Sequence, residues 1–183
     1  PHFDVLLISD YAGEARRHGW LDINRFRTEN PNLIVTCITP YGLTGPRSAW
    51  KGHSINTTSA AGISYRIGKP ERSPLTFPYD RGHYWAGMSA AAASMAAILA
   101  REHTEQGQIV DIAEAESMST FINGISAWQF MQNGVTRHRK GRRFDSIFAW
   151  TSMDCKDGAM QLLTMQDRHW ERFLEAIGSP KWA

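Results

Sequence analysis

The chain has 183 residues, 42% of them hydrophobic and 21% charged, enough to bury one sizeable core and outside the compositional range of disordered proteins. Its 20 Lys and Arg stand against 18 Asp and Glu for a net charge of +2, a balance that implies no strong field for nucleic acid or an anionic membrane. No apolar run approaches the roughly 20 residues of a membrane helix, and the opening Pro1-His2-Phe3-Asp4 has neither a basic leader nor an initiating Met, so the expectation is a truncated, soluble, cytoplasmic protein.

Phe3 to Ile8 and Leu33 to Thr39 are short β-branched-rich runs bounded by turn residues, with helix-like segments between them at Glu14 to His18 and Asp22 to Asn30. Strand, helix, strand predicts a parallel α/β sheet, with Asp22 as N-cap and Pro31 as stop of the second helix. From Pro40 to Tyr79 Gly, Pro, Ser and Thr dominate, including Gly42-Leu43-Thr44-Gly45-Pro46, and a stretch so long and irregular is read as a functional loop. Trp85 to His103 is rich in Ala and Met, and its scarcity of polar residues before Arg101 predicts a helix packed on most of its surface. Gly107-Gln108 breaks the chain, Ile109 to Ile112 reads as a strand, and a helix follows from about Glu114 to Gln132, with Trp128, Phe130 and Met131 expected in the core.

Residues 136–146 include His138, Arg139, Lys140 and Arg142, a basic stretch that is either a linker or a solvated loop. Ile147 to Met153 and Met160 to Leu163 flank Lys156-Asp157-Gly158, which predicts a hairpin. Asp167 to Ile177 puts Trp170, Phe173 and Leu174 on one helix face, with Gly178 at the left-handed cap. The expected organisation is part of a large α/β domain over 1–135, a basic linker over 136–146 and the start of a small α+β domain over 147–183. Cys37 and Cys155 have no CxxC spacing and are expected to be buried free thiols in a reducing compartment. The histidines show no zinc-protease spacing and Gly42 to Gly45 is not a phosphate loop, so no metal is expected.

Several segments in matching order resemble the family III CoA-transferases of CaiB/BaiF type, a group that includes formyl-CoA transferase, carnitine CoA-transferase and α-methylacyl-CoA racemase. Asn30-Pro31-Asn32-Leu33-Ile34, then Ile38-Thr39-Pro40-Tyr41-Gly42-Leu43-Thr44-Gly45-Pro46, is similar to that family's NPRLIY and ITGFGQTGP strand and loop. Ala86-Gly87-Met88 through Ala96-Ala97-Ile98-Leu99, then Arg101-Glu102-His103-Thr104 and Gly107-Gln108-Ile109-Val110-Asp111, resembles AG…AALxxRExTGxGQxVDV without gaps. Asp167 to Gly178 is similar to a helix of the family's small domain. The resemblance implies a Rossmann-like large domain joined to a small α+β domain, in two chains threaded as an interlocked homodimer or heterodimer. It implies acyl-CoA and a carboxylic acid acceptor as substrates, with coenzyme A as substrate and no tightly bound cofactor.

In such enzymes a carboxylate at the start of the Ala-rich helix attacks the acyl-CoA thioester, where helix amides stabilise an anion and a nearby glycine admits the thioester. The family pattern GDxxxG meets Gly82-His83-Tyr84-Trp85-Ala86-Gly87 here, so His83 stands at the aspartate's position. An imidazole cannot form an acid anhydride. Asp80, three residues upstream, either reaches the same pocket with His83 orienting it, or is a turn or N-cap residue beside a partly buried His83, which is the simpler reading. Gly13, Arg17 and Lys51 fall where the family binds coenzyme A, although Ser9-Asp10-Tyr11-Ala12-Gly13 keeps only the glycine of NFRPG, and for Arg17 and Lys51 an exposed surface charge fits equally. Three functions stay open: a divergent transferase subunit or tandem half, an acid-base racemase or isomerase using His83 and Asp80, and a non-catalytic structural homologue.

Overall fold

Three parallel strands organise the first part of the computed structural model, which describes residues 3–10, 22–121, 130–134, 139 and 150–182. Strand β1 (Val5–Ser9), β2 (Ile34–Thr39) and β3 (Ile109–Ala113) lie in that spatial order, with Val5 opposite Ile34 and Val35 opposite Ile109. The middle strand is covered on both faces, which is why its sequence is β-branched-rich without polar-apolar alternation: Ile34, Val35, Thr36 and Cys37 are all fully buried. Thr36 is satisfied there by the Ser94 hydroxyl at 2.7 Å. Between β1 and β2 runs helix α1 (Ile23–Glu29), whose Asp22 cap accepts from the Arg25 amide at 2.9 Å, and Ile23 and Phe26 pack on Leu33, Val35 and Cys37. The segment expected as a helix at Glu14 to His18 lies outside the described residues.

The irregular stretch after β2 is better ordered than its composition predicts. It contains helix α2 (Ser54–Ala60) and a 3-10 turn (Ser64–Arg66). Ser and Thr are weak helix formers because their hydroxyls compete for backbone partners. Here a hydroxyl bonds within the helix, as Ser59 Oγ does to the Ile55 carbonyl at 2.7 Å, and the His53 amide donates to Asn56 Oδ1 at 3.0 Å. The preceding glycine loop is pinned to the sheet: the Leu43 amide donates to both carboxylate oxygens of Asp111 on β3, at 2.9 and 3.1 Å.

Helix α3 (Arg81–Thr104) begins four residues before the apolar run that predicts it, so the Gly82-His83 pair belongs to its first turn. Gly82, Ala86, Ala90, Ser94 and Ala97 form its buried stripe, small side chains that let the helix lie close against its neighbours. Packing is confined to that stripe within this chain, contrary to the expectation of a helix covered on most of its surface, for Tyr84, Met88, Met95 and Leu99 are 59–73% exposed. Glu105 ends the helix in the left-handed region, and Gly107 follows where a Cβ would sit 2.1 Å from the Leu33 carbonyl oxygen. Helix α4 (Glu114–Phe121) starts directly off β3, residues 122–129 with Trp128 lie outside the described residues, and residues 130–133 are helical. Phe130 and Met131 are exposed, at 57% and 82%, instead of in the core.

The chain divides into two compact units, Pro1–Arg66 with Leu75–Arg137, and Ile67–Pro74 with His138–Ala183. In the second, β4 (Thr151–Cys155) and β5 (Gly158–Leu162) form the expected antiparallel hairpin. Helix α5 (Asp167–Ala176) follows, with Trp170 stacked on Phe173 and Gly178 at φ +85°. Both cysteines are free thiols, but only Cys37 is buried; Cys155 closes the turn end of a two-stranded sheet opposite Gly158 and is exposed. Most of the stretch 136–146 lies outside the described residues. No described helix is long and apolar enough to cross a membrane.

Candidate active site

In a parallel sheet the carboxyl ends of the strands open onto a common crevice, the usual place for a ligand in α/β folds. Here β2 delivers Pro40 and β3 delivers Glu114 to that end, and the Ala115 amide donates to the Pro40 carbonyl at 3.1 Å. The chain enters α3 at the same place by a sharp turn, Tyr79 adopting φ +57° and Asp80 taking the N-cap position. A non-glycine residue held in that region is strained by about 1–3 kcal/mol, a feature that clusters at functional sites.

Three elements converge on Glu114. The carboxylate is completely buried. Its Oε1 meets the Thr57 hydroxyl of α2, and its Oε2 lies 2.7 Å from Nδ1 of His83 on α3. Immediately beside it, the Gly82 amide donates to the Ser54 hydroxyl at 3.0 Å. A Cβ on Gly82 would stand 2.0 Å from Glu114 Oε1 and 2.8 Å from Ser54 Oγ, so only glycine leaves room for the carboxylate. A buried carboxyl group without polar partners is strongly destabilising, and both oxygens of this one have a partner. The His83 side chain keeps 36% of its surface exposed, so it lies between the buried carboxylate and the crevice.

Asp80 sits one helical turn from His83, and its carbonyl accepts from the His83 amide at 3.0 Å. Its side chain makes no capping bond and is exposed, so the structure joins Asp80 to His83 through the backbone only. Lys51 is exposed in the loop before α2, next to Trp50, whose ring meets Tyr41 edge-on and lies 5.5 Å from the Arg47 guanidinium carbon. Gly13 and Arg17 lie outside the described residues. Asp10, which ends the segment after β1, is buried at 5% exposure. Sequence reasoning missed Glu114, Thr57 and Ser54. The available signal was an acid joined without any loop to the end of a strand, between Ala113 and Ala115.

This arrangement offers an imidazole, not a carboxylate, at the first turn of α3. The model of CoA-transferase family III matches residues 2–183. The chain belongs to that family. Among relatives, this family III chain is 29% identical to a protein named succinyl-CoA:(R)-benzylsuccinate CoA-transferase subunit BbsE from Thauera aromatica, over 95% of this chain and 44% of that protein. It is 28% identical to the succinyl-CoA--L-malate CoA-transferase beta subunit of Chloroflexus aurantiacus, over 100% of this chain and 45% of that one. A crystal structure of a CaiB/BaiF family protein from Brucella suis shares its fold, with TM-score 0.77 and 24% identity over 96% of this chain and 46% of the other. The chain therefore spans less than half the length of these relatives.

Proposed function

We propose that this family III chain is a segment of an acyl-CoA:carboxylate CoA-transferase and supplies a divergent subunit or tandem half that works beside a partner carrying the attacking carboxylate. Its substrates are an acyl-CoA and a carboxylic acid acceptor, and coenzyme A passes through as substrate instead of staying as a cofactor. The assembly is an interlocked homodimer or heterodimer in the cytoplasm, with Gly13, Arg17 and Lys51 toward the coenzyme A phosphates. The observation that carries this reading is His83 tied to buried Glu114 at the helix start. Transfer through a carboxylate requires an oxygen nucleophile: it takes the acyl group as an anhydride with release of CoA thiolate, and that thiolate then attacks the enzyme's own carbonyl, breaking the anhydride to give an enzyme-CoA thioester and the donor carboxylate. An imidazole nitrogen accepts an acyl group but has no carbonyl on which a CoA thioester could form. Glu114 cannot substitute, since it has no exposed surface and both its oxygens are engaged.

The names of the two relatives support a subunit arrangement, for each is called a subunit of a succinyl-CoA-dependent transferase. The full-length protein is purified with whatever associates with it and assayed with acyl-CoA and carboxylate acceptors, with hydroxylamine or borohydride to trap acyl adducts for mass spectrometry. Activity is expected only when a homologue with an intact GDxxxG is present, with the adduct on that homologue. An adduct on Asp80, or turnover by the chain alone, overturns the divergent-half reading. A second reading draws on the same hydrogen bond, because an imidazole oriented by a carboxylate is the arrangement of a general base. It would show as exchange of the acyl-CoA α-proton in D2O, lost in His83→Asn and independent of any acceptor acid. If no assembly binds coenzyme A by calorimetry, both enzymatic readings fail and a non-catalytic homologue remains.

A further inference from the structure

Glu114 is an acid with no exposed surface, placed where β3 passes into α4, and the residues around it come from positions 54, 57, 82 and 83. Convergence of that kind is hard to account for as chance burial. Taking a carboxylate out of water is strongly unfavourable unless the site supplies polar partners. The polar partners here are the Thr57 hydroxyl and Nδ1 of His83, and Gly82 provides the space.

We propose that Glu114 is a positioning residue that dictates the chemistry allowed at position 83: it holds the imidazole by its Nδ1–H and excludes a carboxylate from the first turn of α3. The steric side of this is direct. In His and Asp alike the first polar atom is bonded to Cγ, so an aspartate in the His83 rotamer would place an oxygen near the point Nδ1 now occupies, 2.7 Å from Glu114 Oε2. Two carboxylate oxygens at that separation cannot both stay ionised and must share a proton. An aspartate there would be tied up in an acid pair and unavailable as a free anionic nucleophile. In a neutral ring, an Nδ1–H committed to Glu114 leaves the lone pair on Nε2, which defines one tautomer. This deepens the reading of the chain as a half without the attacking carboxylate, since that group is then excluded by Glu114 as well as absent.

The test needs neither substrate nor turnover, so the transferase reading can fail while this coupling holds, and the reverse. In the full-length protein with its natural partner, 15N-labelled histidine and the His83→Asn spectrum identify the His83 ring signals. Nδ1–H is expected in the wild type, and a clear change in ring nitrogen shifts is expected in Glu114→Leu or, should that variant not fold, in Glu114→Gln. Second, His83→Asp and His83→Asn are compared by denaturant unfolding, each made both in the wild-type background and in the Glu114→Gln background. Asp and Asn share a shape, and Asn can still donate to Glu114, so their difference isolates the charge. With Glu114 present, Asp is expected to lower the folding equilibrium constant by about tenfold or more relative to Asn, and in the Glu114→Gln background that penalty is expected to vanish. The Nε2–H tautomer in the wild type, or an Asp penalty that is equal in both backgrounds, overturns the proposal.

Discussion

Gly82 and Gly87 bracket the first turns of α3, yet the surroundings of their α-carbons are opposite. At Gly82 a methyl would press on Glu114 and Ser54, both buried and neither able to swing into solvent. Overpacking of that kind costs about 1–3 kcal/mol, so Gly82→Ala is expected to lower the unfolding free energy by that amount in a denaturant titration. At Gly87 nothing lies within 4 Å of an added Cβ. Alanine in a helix interior is favoured over glycine by about 0.5–1 kcal/mol, so Gly87→Ala is expected to raise stability in the same titration. The two glycines and His83 were legible in the sequence because they sit in one short motif. Glu114 was not, since its partners Thr57 and His83 lie 57 and 31 positions away and a buried charge is defined only by what folds around it.

Elements read well wherever local pattern and tertiary environment agree. The strand at Ile34–Thr39 is β-branched-rich without polar-apolar alternation and is the central strand, and Asp22 caps α1 as its position before a helical run suggests. Helix α2 was illegible because Ser and Thr conceal it, whereas the start of α3 ahead of the alanine pattern was legible through the short motif that puts position 83 at the helix start and through Asp80 as N-cap. Between elements, the glycine loop after β2 and the Val110-Asp111 motif of β3, which look unrelated in sequence, are one structure through the paired bonds from the Leu43 amide to Asp111. Removing that acceptor leaves the loop amide to solvent. Asp111→Ala is expected to cost about 1 kcal/mol and to speed hydrogen exchange at Leu43 about fivefold, with amides of β2 unaffected. Equal acceleration across β2 would show that Asp111 supports the sheet and not the loop.

At the scale of the whole molecule, α3 carries two apolar stripes on opposite sides. The small stripe, Gly82, Ala86, Ala90, Ser94 and Ala97, is buried. At about 100° per residue Tyr84, Met88, Met95 and Leu99 fall within an arc of roughly 60° on the other side, and each is 59% or more exposed. This reconciles the sequence pattern, which predicts a helix covered nearly all round, with a chain that covers one side. A row of four large apolar side chains is the kind of patch that soluble proteins cover, and full burial of each contributes about 1.5–3 kcal/mol. Because this chain spans less than half the length of its relatives, the expected cover is the remainder of the protein or its partner subunit. Met95→Cys in the assembled full-length protein is therefore expected to resist maleimide labelling and to label readily once the assembly is unfolded in denaturant. Met95→Glu is expected to lower the stability of the assembly by about 2–4 kcal/mol through a buried, unpaired charge. Rapid labelling at position 95 together with a neutral Met95→Glu would mean that this face stays in water, and α3 would then be a surface helix with an apolar side that nothing in the assembly uses.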